Sequence, residues 1–88
     1  MPKKEKERDH KDDVILLEKL GKRIKELRID KGYTNYEHFA YDSGISRTQY
    51  GKYEVGDNLK FLTLIKILRT MNVSLDEFFA DGFGDLPK

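Results

Sequence analysis

Residues 44–56, GISRTQYGKYEVG, predict a tight turn followed by a short helix with two different faces. Gly44 suits a turn that needs a positive φ, and Ser46 is a typical N-cap residue. The helix should therefore begin after Ser46 and run to about residue 54 or 55. Tyr50 and Tyr53 are three residues apart, so both can pack inward on the same side of this helix.

The opposite face of the same helix is polar and cationic. It carries Arg47, Thr48, Gly51 and Lys52, with Gln49 at its boundary. A short helix with such a face has the shape of a DNA major-groove reader. Arg47 can pair with guanine O6 and N7, Lys52 can reach a base or a phosphate, and Thr48 can meet a base edge or a thymine methyl.

Each of these side chains also has a plain structural interpretation. Arg47, Thr48, Gln49 and Lys52 could be solvated surface residues, and Gly51 could be tolerated in the helix without any DNA approaching its backbone. Tyr50 and Tyr53 could stack on single-stranded bases, although their spacing favours the core. Two further tyrosines of the preceding helix, Tyr36 and Tyr41, are predicted to be exposed, and their hydroxyls could reach phosphate.

The composition describes one small, highly charged domain. The 88 residues are 38% charged, carry a net charge of +1 and include no cysteine. Disulfides, thiolate zinc sites and cysteine nucleophiles are therefore excluded. The sequence has no apolar run of the roughly 20 residues that span a bilayer and no secretory signal, so we expect a cytoplasmic, nucleoid-associated protein.

Outward from the central segment, the chain divides into three parts. Residues 1–13 are almost wholly charged and should form a disordered arm or a frayed extension of the first helix, with DNA contact by the arm left open. Residues 14–80 form the helical domain, and residues 81–88 should be a flexible tail. Helix 1 should span about residues 14–31, and Gly21 in its middle suggests a close approach of another helix.

The remaining helices are marked by caps and apolar spacing. Helix 2 should begin with Thr34 as N-cap, in a capping box with Glu37. Helix 4 should cover about residues 59–71, and helix 5 should run from its N-cap Ser74 to Phe79. The inward side chains predicted for helix 4 are Phe61, Leu64, Ile65, Leu68 and Met71. No strand-like alternation is present, so the fold class is all-α.

The chain resembles the Cro/repressor-type helix-turn-helix family, also called the XRE family, over about residues 18–79. The matching strings are LGKRIKELR at 20–28, KGYT at 31–34, FA at 39–40, GISR at 44–47, YEVG at 53–56 and VSLDEF at 73–78. The resemblance implies a compact five-helix, lambda-repressor-like DNA-binding domain with the helix-turn-helix in helices 2 and 3.

The resemblance also implies roles for individual residues. It places the third helix in the major groove, where Arg47, Thr48 and Lys52 would face bases or the adjoining backbone. Asn35, at the first position of helix 2, would donate to a phosphate. Arg28 and Glu54 would form an ion pair that links helix 1 to the end of helix 3.

No catalytic or metal-binding pattern is found. His10 and His38 are the only histidines, and the acidic residues lack the spacing of a metal loop. There is no Gly-rich phosphate loop and no nucleophile elbow. We therefore expect no enzyme activity, no metal and no cofactor.

An aromatic cluster near the C-terminus predicts self-association. Its members, Phe78, Phe79, Phe83 and Leu86, could contact a second copy or pack within one protomer. Residues 14–80 carry 11 Lys/Arg and 9 Asp/Glu, so one copy would hold few phosphates. A homodimer that reads two half-sites about 10–10.5 base pairs apart would bind more strongly.

The sequence thus predicts a sequence-specific, double-stranded DNA-binding regulator of transcription. Its own concentration, dimerisation or a regulatory partner protein would control it. The alternative is a protein-interaction module that keeps the helix-turn-helix fold without binding DNA, which the near-neutral charge favours.

Overall fold

The computed structural model describes the backbone of residues 2–84 and the side chains of residues 11–84. Five α-helices follow one another, and no strand occurs in this range: α1 (Pro2–Asp30), α2 (Tyr36–Ser43), α3 (Arg47–Glu54), α4 (Phe61–Met71) and α5 (Leu75–Phe79). The predicted all-α fold is confirmed, and the helix-turn-helix is formed by α2 and α3.

Helix α1 begins earlier than the sequence predicted. It starts at Pro2 instead of about residue 14 and ends at Asp30, so residues 2–13 belong to the same helix as the domain. Proline suits the first turn of a helix, and the following Lys and Glu residues are good helix formers. Gly32, with φ of +97°, follows the end of the helix and terminates it.

The core lies where α1, α2, α3 and α4 meet, and α5 closes it. Its buried apolar residues are Ile24, Leu27, Phe39, Ala40, Tyr50, Leu64, Ile67, Leu68, Met71, Val73 and Phe78. The prediction that Phe61 points inward is wrong, because its side chain is 61% exposed. Helix α4 begins at Phe61, with Lys60 as its N-cap, and Ile67 fills the core position instead.

The turn between α2 and α3 has the predicted geometry. Gly44 adopts φ of +73°, and its N–H donates to the Tyr41 carbonyl at 3.0 Å. The Ile45 N–H donates to the Ala40 carbonyl at 3.0 Å. The Ser46 hydroxyl then accepts the Gln49 N–H at 3.2 Å. The start of α3 is therefore fixed by both a turn and a cap.

The N-cap of α2 is one residue later than predicted. Asn35, rather than Thr34, caps the helix, and its Oδ1 accepts the N–H groups of Glu37 at 2.8 Å and His38 at 3.0 Å. Threonine and asparagine are both common N-cap residues, and the prediction of Thr34 from the capping-box pattern is wrong. As a result, Tyr36 and not Asn35 is the first residue of α2.

Two contacts fasten α1 to the other helices. Gly21 lies against the end of α3, where an added Cβ would be 2.4 Å from the Tyr53 carbonyl oxygen and 2.6 Å from that of Glu54. The close approach suggested by Gly21 is therefore confirmed. On another side, Arg23 donates from Nε to the Phe78 carbonyl at 2.7 Å and from Nη2 to the Glu77 carbonyl at 2.7 Å.

Candidate nucleic-acid interface

A buried ion pair anchors the C-terminal end of α3. Arg28 Nε lies 2.6 Å from Glu54 Oε2, and the two side chains are only 5% and 9% exposed. Arg28 also donates from Nη1 to the Tyr33 carbonyl, which satisfies more of the guanidinium. The ion pair implied by the family resemblance is thus present, and it ties α3 to α1.

Tyr50 anchors the middle of α3 from the same side. Its ring is fully buried and lies 5.1 Å from the Phe39 ring, centroid to centroid. Its hydroxyl is buried without a hydrogen-bond partner among the described residues. Burial raises the pKa of Tyr50, and the nearby Glu54 carboxylate raises it further. Tyr50 is therefore a core residue, as its spacing favoured, and not a platform for bases.

The outer face of α3 remains open to solvent. Arg47, Thr48 and Lys52 are exposed, while Gln49 and Gly51 are half-buried. A shallow groove of about 610 Å³ follows this face. It is lined by Lys25, Arg28, Tyr36, Arg47, Thr48, Gly51, Lys52, Glu54 and Val55. The structure therefore brings three exposed cations to one concave surface, Lys25 and Lys52 beside Arg47.

Two acidic side chains touch this face, and sequence reasoning missed both. Arg47 Nη1 lies 3.3 Å from Glu37 Oε2, with the two side chains 70% and 49% exposed. Gln49 Nε2 donates to Asp57 Oδ2 at 3.0 Å. Glu37 belongs to α2 and Asp57 to the loop after α3, so neither contact follows from the spacing along α3 alone.

Tyr36 lies beside Gly51 and occupies part of the groove. A Cβ added to Gly51 would be 3.4 Å from Tyr36 Cε2, and the Tyr36 ring stacks on Tyr50 with centroids 6.4 Å apart. Tyr36 therefore packs beside the half-buried backbone of Gly51, which the sequence analysis proposed as a point of close approach to DNA. Its position at the start of α2 also makes it a candidate contact, whereas the Asn35 oxygen is used as a cap.

The structure separates the members of the predicted aromatic dimer cluster. Phe78 is fully buried within the protomer, so its assignment as a dimer contact is wrong. Phe79 is 45% exposed, and Phe83 is half-buried with its ring 4.9 Å from that of Phe79. Leu86 lies outside the described residues. Phe79 also lines an apolar groove of about 270 Å³ with residues of α1 and α4, including Leu16 and Phe61.

Two other kinds of site, a metal centre and a membrane span, do not occur in the described part of the chain. Between residues 11 and 84, no group of three or more His, Cys, Asp and Glu side chains is placed to hold a metal ion. None of the helices in this range combines the length and apolar character that crossing a membrane requires.

The comparisons with known proteins agree with the geometry of α2 and α3. A family model described as helix-turn-helix matches residues 24–78, which is well over half of the chain. No curated protein and no solved structure gives a significant match. The matched range begins at the core residue Ile24 and ends at the core residue Phe78, so it covers the packed unit that presents α3.

Proposed function

The chain belongs to the XRE-type helix-turn-helix family of DNA-binding domains, and from this premise we propose that it is a sequence-specific regulator of transcription. The observation that carries the proposal is the contrast between the two sides of α3. Tyr50 and Glu54 hold the helix against the core, while Arg47, Thr48 and Lys52 face solvent. The protein would act on the nucleoid in the cytoplasm, where its DNA target lies.

In this proposal α3 enters the major groove of double-stranded DNA. Arg47 reads guanine, Thr48 contacts a base edge, and Lys52 contacts a base or a phosphate. Gln49 lies at the edge of the groove, where a phosphate is within its reach. Asn35 keeps its Nδ2 available for a phosphate because the cap uses only Oδ1. None of these roles requires a metal, a cofactor or catalysis.

We further propose that the binding unit is a homodimer. Residues 14–80 have a net charge of +2, which gives one protomer little electrostatic attraction for the phosphate backbone. Two protomers could read two half-sites about 10–10.5 base pairs apart. The exposed apolar side chains of Leu16, Phe61 and Phe79 around the 270 Å³ groove supply a surface that a second copy would cover.

The test is selection from a randomised duplex pool, followed by a salt titration on the selected site. We expect an enriched, palindromic motif and a binding constant that falls steeply with salt. Arg47→Ala should relax the preference at one base position, by about 1–3 kcal/mol, whereas a uniform loss across all sequences would make Arg47 a phosphate contact. Failure to enrich any motif, with residual binding insensitive to salt, would favour the protein-interaction module.

Sedimentation tests the dimer separately. Phe79→Ser and Phe61→Ser should shift the chain toward the monomer at concentrations where the wild type is dimeric. Tyr41→Ser provides a control, since Tyr41 is also an exposed aromatic residue but does not line the apolar groove. A wild-type monomer at high concentration would contradict this part of the proposal.

A further inference from the structure

We propose that Glu37 is a positioning residue that makes Arg47 select a base over a phosphate. This inference rests on the proposed DNA-binding function. It starts from the contact between Glu37 Oε2 and Arg47 Nη1 at 3.3 Å, which joins the first turn of α2 to the first turn of α3.

The geometry leaves most of the Arg47 guanidinium available. Glu37 engages only Nη1, and no other hydrogen bond to this guanidinium occurs among the described residues. A guanidinium presents five N–H donors in a rigid fork. The edge formed by Nε and Nη2 is therefore available to pair with guanine O6 and N7 while Nη1 keeps its contact with Glu37.

A non-specific complex makes a different demand on Arg47. Phosphates lie along the edges of the groove, and a long flexible side chain lowers the free energy most by turning toward the nearest one. In that arrangement the Glu37 carboxylate, which lies 3.3 Å from Arg47 Nη1, is also brought close to the phosphates, and the like charges repel each other. Glu37 thus disfavours the phosphate-bound arrangement more strongly than the base-bound one.

Lys52 provides an internal contrast on the same face. It is exposed, and among residues 11–84 no side chain pairs with it. Its ammonium is a compact point charge without the planar fork of arginine, so it is suited to a phosphate. The two cations of the α3 surface are therefore in different electrostatic environments, one paired with a carboxylate and the other without a partner.

Gln49, a neutral side chain on the same helix, also contacts a carboxylate. Its Nε2 donates to Asp57 Oδ2 at 3.0 Å, so the polar side chain at the boundary of the face also has a carboxylate partner. Acidic partners on both Arg47 and Gln49 lower the general attraction of this surface for phosphate. They also agree with the low net charge of the domain.

The experiment measures the dissociation constant for the selected site and for a random duplex of equal length, at several salt concentrations. Glu37→Gln should tighten binding to the random duplex by about two- to fivefold at low salt, within the range of an exposed ion pair. Binding to the selected site should stay unchanged or weaken. The specificity ratio, which is the dissociation constant for the random duplex divided by that for the selected site, should therefore fall.

Asp42→Asn is the matched control. It removes one negative charge from the same helix, but Asp42 faces His38, with Nε2 and Oδ2 3.4 Å apart, instead of Arg47. Its effect on the two constants should be parallel and smaller than about twofold, as for a distant screened charge. Helicity and thermal unfolding of both variants establish that the fold is retained.

The same substitution in an Arg47→Ala background decides the mechanism. If Glu37 acts through Arg47, Glu37→Gln should no longer change the ratio when Arg47 is absent. A ratio that still falls in this background would overturn the proposal, because the carboxylate would then act on the DNA directly. A Glu37→Gln effect that matches Asp42→Asn would also overturn it. A wild-type chain without salt-dependent, sequence-selective binding would instead refute the proposed function.

Discussion

Two arginine–glutamate pairs lie at the two ends of α3, and they differ in solvent exposure, in distance and in the helix that each joins to α3. The Arg28–Glu54 pair is nearly dry, with 2.6 Å between its closest atoms. The Arg47–Glu37 pair is open to water, with 3.3 Å between its closest atoms. The first joins the end of α3 to α1, while the second joins the start of α3 to α2.

The difference shows how environment assigns a role to the same two residue types. Removing one partner of a buried pair leaves an uncompensated charge in an environment of low dielectric constant. Removing one partner of an exposed pair leaves a charge that water solvates and salt screens. The buried pair is therefore suited to fixing the position of α3, and the exposed pair is suited to exchanging one partner for DNA.

The largest expected effect comes from removing the arginine of the buried pair. Arg28→Met should lower the free energy of unfolding by about 3–5 kcal/mol, because Glu54 stays buried and the hydrogen bond to Tyr33 is lost as well. Arg47→Met makes the same chemical change in the exposed pair and should cost about 0–1 kcal/mol. Urea unfolding followed by circular dichroism, at one protein concentration, measures both.

A double variant sharpens the result for the buried pair. Arg28→Met with Glu54→Leu removes both charges and should recover much of the stability that Arg28→Met alone loses. Equal losses for Arg28→Met and Arg47→Met would show that the two environments do not differ in solution as they do in the structure.

Two glycines test the same contrast at the backbone of α3. Gly21→Ala places a methyl group within 2.4 Å of the Tyr53 carbonyl oxygen, and backbone cannot easily move away. We expect a loss of about 1–3 kcal/mol from overpacking, although alanine is the better helix former by about 0.5–1 kcal/mol. Thermal unfolding measures the change, and a more stable variant would contradict the close approach.

Gly51→Ala is the matched substitution on the outward side. Its added methyl would meet Tyr36 Cε2 at 3.4 Å, which is an ordinary contact with a side chain. Stability should therefore stay unchanged or rise by up to about 1 kcal/mol. A loss of DNA affinity without a loss of stability would indicate that DNA needs the bare backbone at Gly51.

Much of this arrangement could be predicted from local sequence. The bounds of α3, the turn at Gly44 and the inward side of Tyr50 all follow from caps and periodicity, which act over a few residues. The Arg28–Glu54 pair could be predicted only from the family resemblance. The two residues are 26 positions apart, and nothing in that spacing identifies them as neighbours.

The errors have a common physical origin in tertiary context. The long Arg23 side chain lies along the surface and reaches the carbonyls that end α5, a contact that no spacing within α1 indicates. For Phe78 the sequence left open both a dimer contact and packing within the protomer, because burial depends on what packs over the side chain. The Glu37–Arg47 contact depends on the angle between α2 and α3, which no pattern within either helix specifies.

The smallest expected effect concerns Tyr50, which lies beside the buried pair. Burial raises the pKa of Tyr50 in the folded protein, and Glu54 raises it further. In the unfolded chain the phenol has a pKa of about 10. The neutral phenol therefore contributes stability fully below about pH 10, and this contribution is lost as pH rises further, by about 1.4 kcal/mol per pH unit.

Tyr50→Phe should change stability at neutral pH by less than about 1 kcal/mol, since the buried hydroxyl has no hydrogen-bond partner. Above about pH 10 the variant should lose stability less steeply than the wild type. Tyr41→Phe, at an exposed position, should leave the alkaline loss in place. Unfolding in urea between pH 8 and pH 11 or so compares the three chains. Parallel loss in the wild type and Tyr50→Phe would mean that the phenol reaches solvent in the folded state, and that the dry environment assigned to the Arg28–Glu54 side of α3 is wrong.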